Sequence, residues 1–184
     1  MYEDKERWNK RFVEFPMHEN VAQIVEKYID TAKVGQALDL ACGMGRNTHF
    51  LAEKGFLVDA VDFSDYALKK IKDSSMIKKI DTDLDKYNIT PNKYDVIVNT
   101  NYLNRRLVSQ MKEALKVGGV LIFESFIVAH GDYKHETMNL DYLLRRNELL
   151  HSFIGLDVIY YEERDDTNLR GEKVRIASLV ARKS

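Results

Sequence analysis

Asp39, Arg46 and Asp62 bracket a glycine-bearing turn in the run ALDLACGMGRNTHFLAEKGFLVDAVDFS, residues 37–64. A carboxylate can receive an ammonium or sulfonium group, or both hydroxyls of a ribose diol, and an arginine can receive a carboxylate. Asp62 follows Gly45 at about the distance at which dinucleotide-binding chains carry their ribose acid. Asp39 comes just before the turn, where it would repel a pyrophosphate and suit a cationic ligand. Arg46 opens the segment after the turn. A cation in a first helical turn opposes the helix macrodipole, so Arg46 either meets an anion or is simply solvated. The phosphate fingerprint G-x-G-x-x-G is incomplete, because Gly43 and Gly45 are followed by Thr48 where the third glycine would allow close helix–strand packing.

The elements that must position these groups follow from pattern. Ala37–Leu40 reads as a short buried strand and Ala41–Gly45 as the turn. Arg46–Lys54 reads as a helix with Phe50 and Leu51 at helical spacing from Asn47, stopped by Gly55. Leu57–Val61 is a second apolar strand ending on Asp62. A helical crossover makes the two strands parallel, which puts the turn and Asp62 on the same carboxyl edge of a sheet. Without Cβ atoms, Gly43 and Gly45 let a ligand approach the main chain.

This run resembles the first motifs of class I S-adenosylmethionine-dependent methyltransferases. Their loop is D/E-x-G-x-G-x-G; here Asp39, Ala41, Gly43 and Gly45 stand at those positions, with alanine for the first glycine. The GRN continuation looks like the small-molecule branch that includes the tellurite-resistance and thiopurine methyltransferase-like proteins. The resemblance implies S-adenosylmethionine as cofactor, S-adenosylhomocysteine as product, an in-line methyl transfer to a small acceptor, and no metal. Asp39, Ala41, Gly43, Gly45, Arg46 and Asp62 are the implied cofactor contacts, with Phe63 covering one face of the adenine. Asp83 and Leu84 would meet the adenine amino group and ring edge, with Asp81 as the competitor.

Either side of this unit the chain continues in kind. Glu3–Phe15 reads as a helix before Pro16, with Trp8, Arg11 and Phe12 on one face. In the resembled family such a segment folds over the cofactor site, so Trp8 and Phe12 either help to close it or only anchor the helix. Asn20–Tyr28 is amphipathic, with Val21, Ile24, Val25 and Tyr28 at i, i+3, i+4, i+7. Ser64 is a plausible N-cap for a helix burying Ala67, Leu68 and Ile71. Met76–Ile80 is a weak third strand and Tyr94–Val98 a fourth. Asn99 and Tyr102 follow at its carboxyl end, where ligands bind in open α/β sheets.

Asn104 can cap a helix running to Leu115, and Arg105 and Arg106 in its first turn hint at an anion nearby or at an acid such as Asp132 or Glu136. LKVGGVLIFESF (residues 115–126) resembles the family's LKPGG motif, with Val120–Ser125 as the fifth strand. His130 and His135 in the following loop are the two candidates for a base, if one is used, and Tyr102 and Arg105 complete the catalytic candidates. Asp141–Leu150 reads as a helix. Val158–Tyr161 and Val174–Ala181 read as strands joined by a polar loop, Glu162–Lys173. The expected architecture is α/β, a Rossmann-like three-layer sandwich whose seven-stranded sheet is mostly parallel with the last strand antiparallel.

The 184 residues suit one domain able to bury roughly 70% of its unfolded surface. It divides into an N-terminal helical segment (1–34) covering the cofactor site and a Rossmann-like core (35–184). With 28 basic against 29 acidic residues, net charge −1 lacks the excess of a nucleic-acid binder. There is no signal-peptide pattern and no apolar run of membrane-spanning length, so a cytoplasmic protein acting on a small molecule, without membrane or nucleic-acid partners, is expected. Cys42 is the one cysteine, expected to be a packed small residue; oligomeric state is not encoded in any pattern seen here. Three rivals remain: a nicotinamide-dependent oxidoreductase, which lacks its third glycine; a non-catalytic S-adenosylmethionine-binding protein; and a protein or nucleic-acid methyltransferase, whose N/D-P-P-Y/F motif has lost both prolines at Asn99–Tyr102.

Overall fold

A computed structural model describes residues 2–131, 133, 139–168 and 171–184. The chain runs α1 (Tyr2–Glu14), α2 (Gln23–Tyr28), β1 (Gln36–Leu40), α3 (Arg46–Glu53), β2 (Leu57–Asp62), α4 (Asp65–Lys70) and β3 (Ile77–Asp81). It continues through β4 (Tyr94–Thr100), α5 (Leu107–Ala114), β5 (Leu115–Phe126), α6 (Glu148–Ser152), β6 (Asp157–Thr167) and β7 (Lys173–Arg182). The seven strands form one sheet in the order β3-β2-β1-β4-β5-β7-β6. β3, β2, β1, β4 and β5 are mutually parallel, and β7 inserts between β5 and β6 antiparallel to both. This is the expected Rossmann-like arrangement.

Side-chain alternation splits the core between the two faces of the sheet. Ala37, Val58, Val96, Val98, Val120 and Ile122 pack with Ile24, Val25 and Leu51, so α2 and α3 cover one face. Leu38, Leu40, Ile97, Leu121 and Phe123 pack with Leu107, Met111, Leu149 and Phe153, so α5 and α6 cover the other. Ser64 caps α4 as expected, its hydroxyl accepting from Ala67 N at 3.1 Å. The turn after β1 holds three left-handed residues, Ala41 at φ 53°, Gly43 at φ 55° and Gly45 at φ 86°. Ala41 therefore holds a left-handed position despite its Cβ, at a cost of about 1–2 kcal/mol.

Several boundaries differ from the sequence reading. α2 begins at Gln23, later than expected. α5 begins only at Leu107 because Asn104 closes a turn of its own: its Oδ1 accepts from Arg106 N, and its carbonyl from Leu107 N. The Asp141–Leu150 helix is not continuous. A single 3-10 turn (Leu140–Tyr142) is followed by extended chain at Leu144, which exchanges backbone bonds with Phe126 and Val128 before α6 begins after left-handed Asn147. Leu143, Leu144 and Leu149 are all buried, so their periodicity reflected burial rather than helix. The polar stretch read as a loop over 162–173 is mostly paired strand. Cross-strand pairs such as Arg175–Asp165 and Lys173–Asp165 line this long β6–β7 hairpin, a pattern that hydrophobic alternation cannot reveal.

Candidate functional site

At the carboxyl edge of β1, Asp39 points to the face covered by α3 and is almost wholly buried. Thr48, on the second residue past the opening of α3, donates to Asp39 Oδ2 at 2.6 Å. Thr48 thus occupies the third-glycine position with a side chain that ties α3 to β1. Asp39 Oδ1 and Arg46 Nε are buried polar atoms without a hydrogen-bond partner. Buried polar groups are normally satisfied, so two of opposite charge left open at one turn are suited to a ligand that answers both. Burial lifts the Asp39 carboxyl from 3.8 to about 7, with the Thr48 bond and the Arg46 charge working against that rise. Burial likewise lowers Arg46 from its ordinary value, while Asp39 and Glu124 oppose the fall.

Asp62, at the end of β2, is buried and accepts from Gly43 N and Ser64 N, each at 2.8 Å. These bonds draw the two loops together and use one lone pair on each oxygen, leaving two acceptor positions for a diol. Burial raises its pKa, opposed by those backbone bonds. Leu84 is buried, while Asp83 Oδ1 accepts from Asp85 N in a local turn. Asp81, its competitor, is engaged instead by Lys5 Nζ at 2.7 and 2.8 Å. Asn99 donates to the carbonyl of Tyr102 at 2.7 Å, holding the turn after β4. Cys42 is buried and its thiol pushed well up by burial and by Asp39 and Asp62, which makes it inert packing rather than a nucleophile.

The N-terminal segment lies across this edge. Asn9 donates to Asp65 Oδ1 and accepts from the Ser64 hydroxyl, and Lys5 Nζ stands 5.7 Å from the Phe63 ring centre. Met17 and Met44 exchange backbone-to-sulfur contacts of 3.4 and 3.2 Å. A Cβ on Gly43 would meet Met17 Sδ at 2.1 Å and Phe12 at 3.2 Å, so the bare glycine backbone is what lets the segment seat there. Trp8 stands at the outer side of the segment, 40% exposed, with the Phe12 ring centre at 6.3 Å and Arg11 over its ring.

Two catalytic candidates, Arg105 and Tyr102, change character. Arg105 donates to both Glu148 oxygens and to the carbonyls of Asp141 and Leu143, so it ties α5 to the segment before α6 instead of waiting for an anionic substrate. Arg106 is likewise taken up by Leu84 O, Tyr87 O and Asn88. Tyr102 accepts from Asn104 at 3.2 Å, and burial pushes its phenol up to about 12, which removes it as a base near neutrality. His130 is exposed and borders a groove of about 300 Å³ with Arg146, Glu163 and Arg175. His135, with Asp132 and Glu136, lies outside the described residues. Among the described residues no group of three His, Cys, Asp or Glu converges as a metal site, and no helix is long and apolar enough to cross a membrane.

Sequence reasoning missed Asn47. Asn47 Oδ1 accepts from Ala22 N and its amide donates to Thr100 at 3.0 Å, tying α2, α3 and β4 together. Its place on the buried face beside Phe50 and Leu51 was the available signal.

The family model of "Tellurite resistance protein TehB" matches residues 1–177. The chain belongs to this family. A curated relative from Haemophilus influenzae, described as a probable S-adenosyl-L-methionine-dependent methyltransferase TehB, is 28% identical over 185 residues. That match covers 89% of this chain and 64% of the relative, so the chain spans less than two thirds of the relative's length. The crystal structure of TehB from H. influenzae superimposes with a TM-score of 0.74 at 22% identity, over 98% of this chain and 67% of that one. A Haemonchus contortus phosphoethanolamine N-methyltransferase 2 in complex with S-adenosyl-L-methionine shares the fold at TM-score 0.69 and 16% identity, over 87% and 51% of the two chains.

Proposed function

We propose that this chain is an S-adenosylmethionine-dependent methyltransferase acting on a small-molecule acceptor. The observation that carries the reading is the buried, unanswered pair Asp39 Oδ1 and Arg46 Nε, one turn from a ribose acid whose oxygens still have room. The two partners such a pair needs are a cation and an anion on one ligand, and family membership points to the same cofactor. A nicotinamide-dependent oxidoreductase fits less well, because Thr48 fills the third-glycine position and Asp39 would face a pyrophosphate.

In this reading the cofactor supplies an activated methyl group on a sulfonium, and the chain's task is alignment and exclusion of water. Asp62 holds the ribose hydroxyls, and Phe63 and Leu84 flank the adenine, with Asp83 beside them. Asp39 and the backbone of Ala41, Gly43 and Gly45 hold the cationic end, and Arg46 the carboxylate. The segment 1–34 covers the site through Phe12 and Met17. His130 is the one described candidate for accepting a proton from a neutral acceptor. Net charge −1 and the absence of both motif prolines argue against a nucleic-acid acceptor.

Titration calorimetry with S-adenosylmethionine, S-adenosylhomocysteine and NADH tests the reading. Micromolar binding of the first two alone is expected. Asp62→Asn should weaken them by about 1.5–3 kcal/mol, the scale of a lost charge-assisted pair. Binding of NADH, or of none of the three, overturns the assignment, and methyl transfer to a panel of thiols, tellurite and selenite then separates an enzyme from a binding protein.

A further inference from the structure

We infer that Glu124 is a further cofactor-binding residue, receiving the amino group of the bound amino acid while Arg46 receives its carboxylate; this rests on the S-adenosylmethionine reading above. Glu124 stands near the carboxyl end of β5, in register with Thr100 of β4 and Ser178 of β7. In-register neighbours share a face, and Thr100 is bonded to Asn47, the residue next to Arg46. Asp39, Thr100 and Glu124 therefore line one wall under the start of α3, and Arg46 sits in the field of both carboxylates.

The Glu124 side chain is fixed at one oxygen only. Oε2 accepts from the Ser178 hydroxyl at 2.6 Å and from Arg164 at 3.3 Å, while Oε1 has no partner among the described residues. Arg164 does not neutralise it, because the same guanidinium also serves Glu162 and Asp166, each at 3.5 Å. The result is an oriented carboxylate with a spare oxygen and residual negative charge, whose field reaches the arginine of the site. The charge balance of the ligand calls for such a group. S-adenosylmethionine carries an ammonium, a sulfonium and a carboxylate, so one arginine and one aspartate leave a positive charge unanswered. Asp39 serves the sulfonium end and Glu124 the ammonium.

The test is titration calorimetry with S-adenosylhomocysteine and two relatives of it, one with the amino group replaced by hydrogen and one lacking the carboxyl group. Glu124→Gln keeps the shape and the Ser178 contact. It is expected to weaken both amine-bearing ligands by about tenfold and to leave the deaminated one within about twofold. Ser178→Ala, which removes the shorter of the two bonds orienting the carboxylate and leaves Arg164, should show the same ligand pattern with a smaller loss. Equal losses for all three ligands would mean a structural role, and no loss would mean no role; either result overturns the inference. Wild-type protein that binds none of the three would instead overturn the cofactor reading, and this inference with it.

Discussion

Replacing Asp39 with asparagine should make the ligand-free protein's stability less dependent on pH, and the size follows from burial. Asp39 titrates near 3.8 in the unfolded chain and near 7 in the folded one. A group with a raised native pKa favours folding most when both states are protonated. Its contribution is therefore fully present below 3.8, declines as the unfolded chain ionises alone, and is gone above about 7. At a limiting slope of about 1.4 kcal/mol per pH unit, flattening as the folded group itself ionises, wild-type protein loses about 2 kcal/mol relative to Asp39→Asn between pH 5 and the native pKa. Asp62 shifts in the same direction but is present in both proteins, so the difference between their curves isolates Asp39. Urea denaturation of both proteins from pH 5 to 8.5 measures that difference. Cofactor binding should respond oppositely: affinity for S-adenosylmethionine rises with pH up to about 7 in wild type, as Asp39 ionises, and rises less steeply in Asp39→Asn, where only Asp62 still titrates. Parallel stability curves would refute the reasoning, since they would mean that Asp39 ionises in the fold without penalty.

Three further outcomes follow from the geometry. Arg105→Ala should lose about 1–2 kcal/mol of stability in urea and expose residues 139–148 to protease, with S-adenosylhomocysteine affinity unchanged; the half-exposed Glu148 pair keeps the figure low. A stable Arg105→Ala with lost ligand affinity would return Arg105 to the site. Ala41→Gly should raise stability by about 0.5 kcal/mol, the relief of a left-handed Cβ less the added freedom of the unfolded chain, and a lower urea midpoint would contradict the strain at φ 53°. Met17→Ala should speed S-adenosylhomocysteine dissociation several-fold in stopped-flow fluorescence of Trp8, the single tryptophan; an unchanged rate would mean that the segment over Gly43 does not control exchange.

The βαβ unit and the grouping of its candidate residues were readable from residues 37–64 because everything that specifies them is local. Apolar runs set the strands, the glycines set the turn, and a parallel crossover leaves Asp39, Arg46 and Asp62 no choice but one edge of the sheet. The same logic gave β4, β5 and the antiparallel β7. What local pattern could not supply were the partners of polar groups distant in sequence. Arg105 was expected to meet an anion or an acid such as Asp132 or Glu136, and is spent on Glu148, Asp141 and Leu143. The leucines at 143, 144 and 149 are buried at helical spacing, yet backbone bonds from Leu144 to Phe126 and Val128 hold that segment extended. The charged β6–β7 hairpin is paired strand because its acids and bases meet across it. Glu124 reaches the wall beside Arg46 only because β4, β5 and β7 align Thr100, Glu124 and Ser178 in one row. Strand and helix follow from short-range periodicity, but which charge answers which is decided by packing, where burial removes water and makes the nearest partner matter.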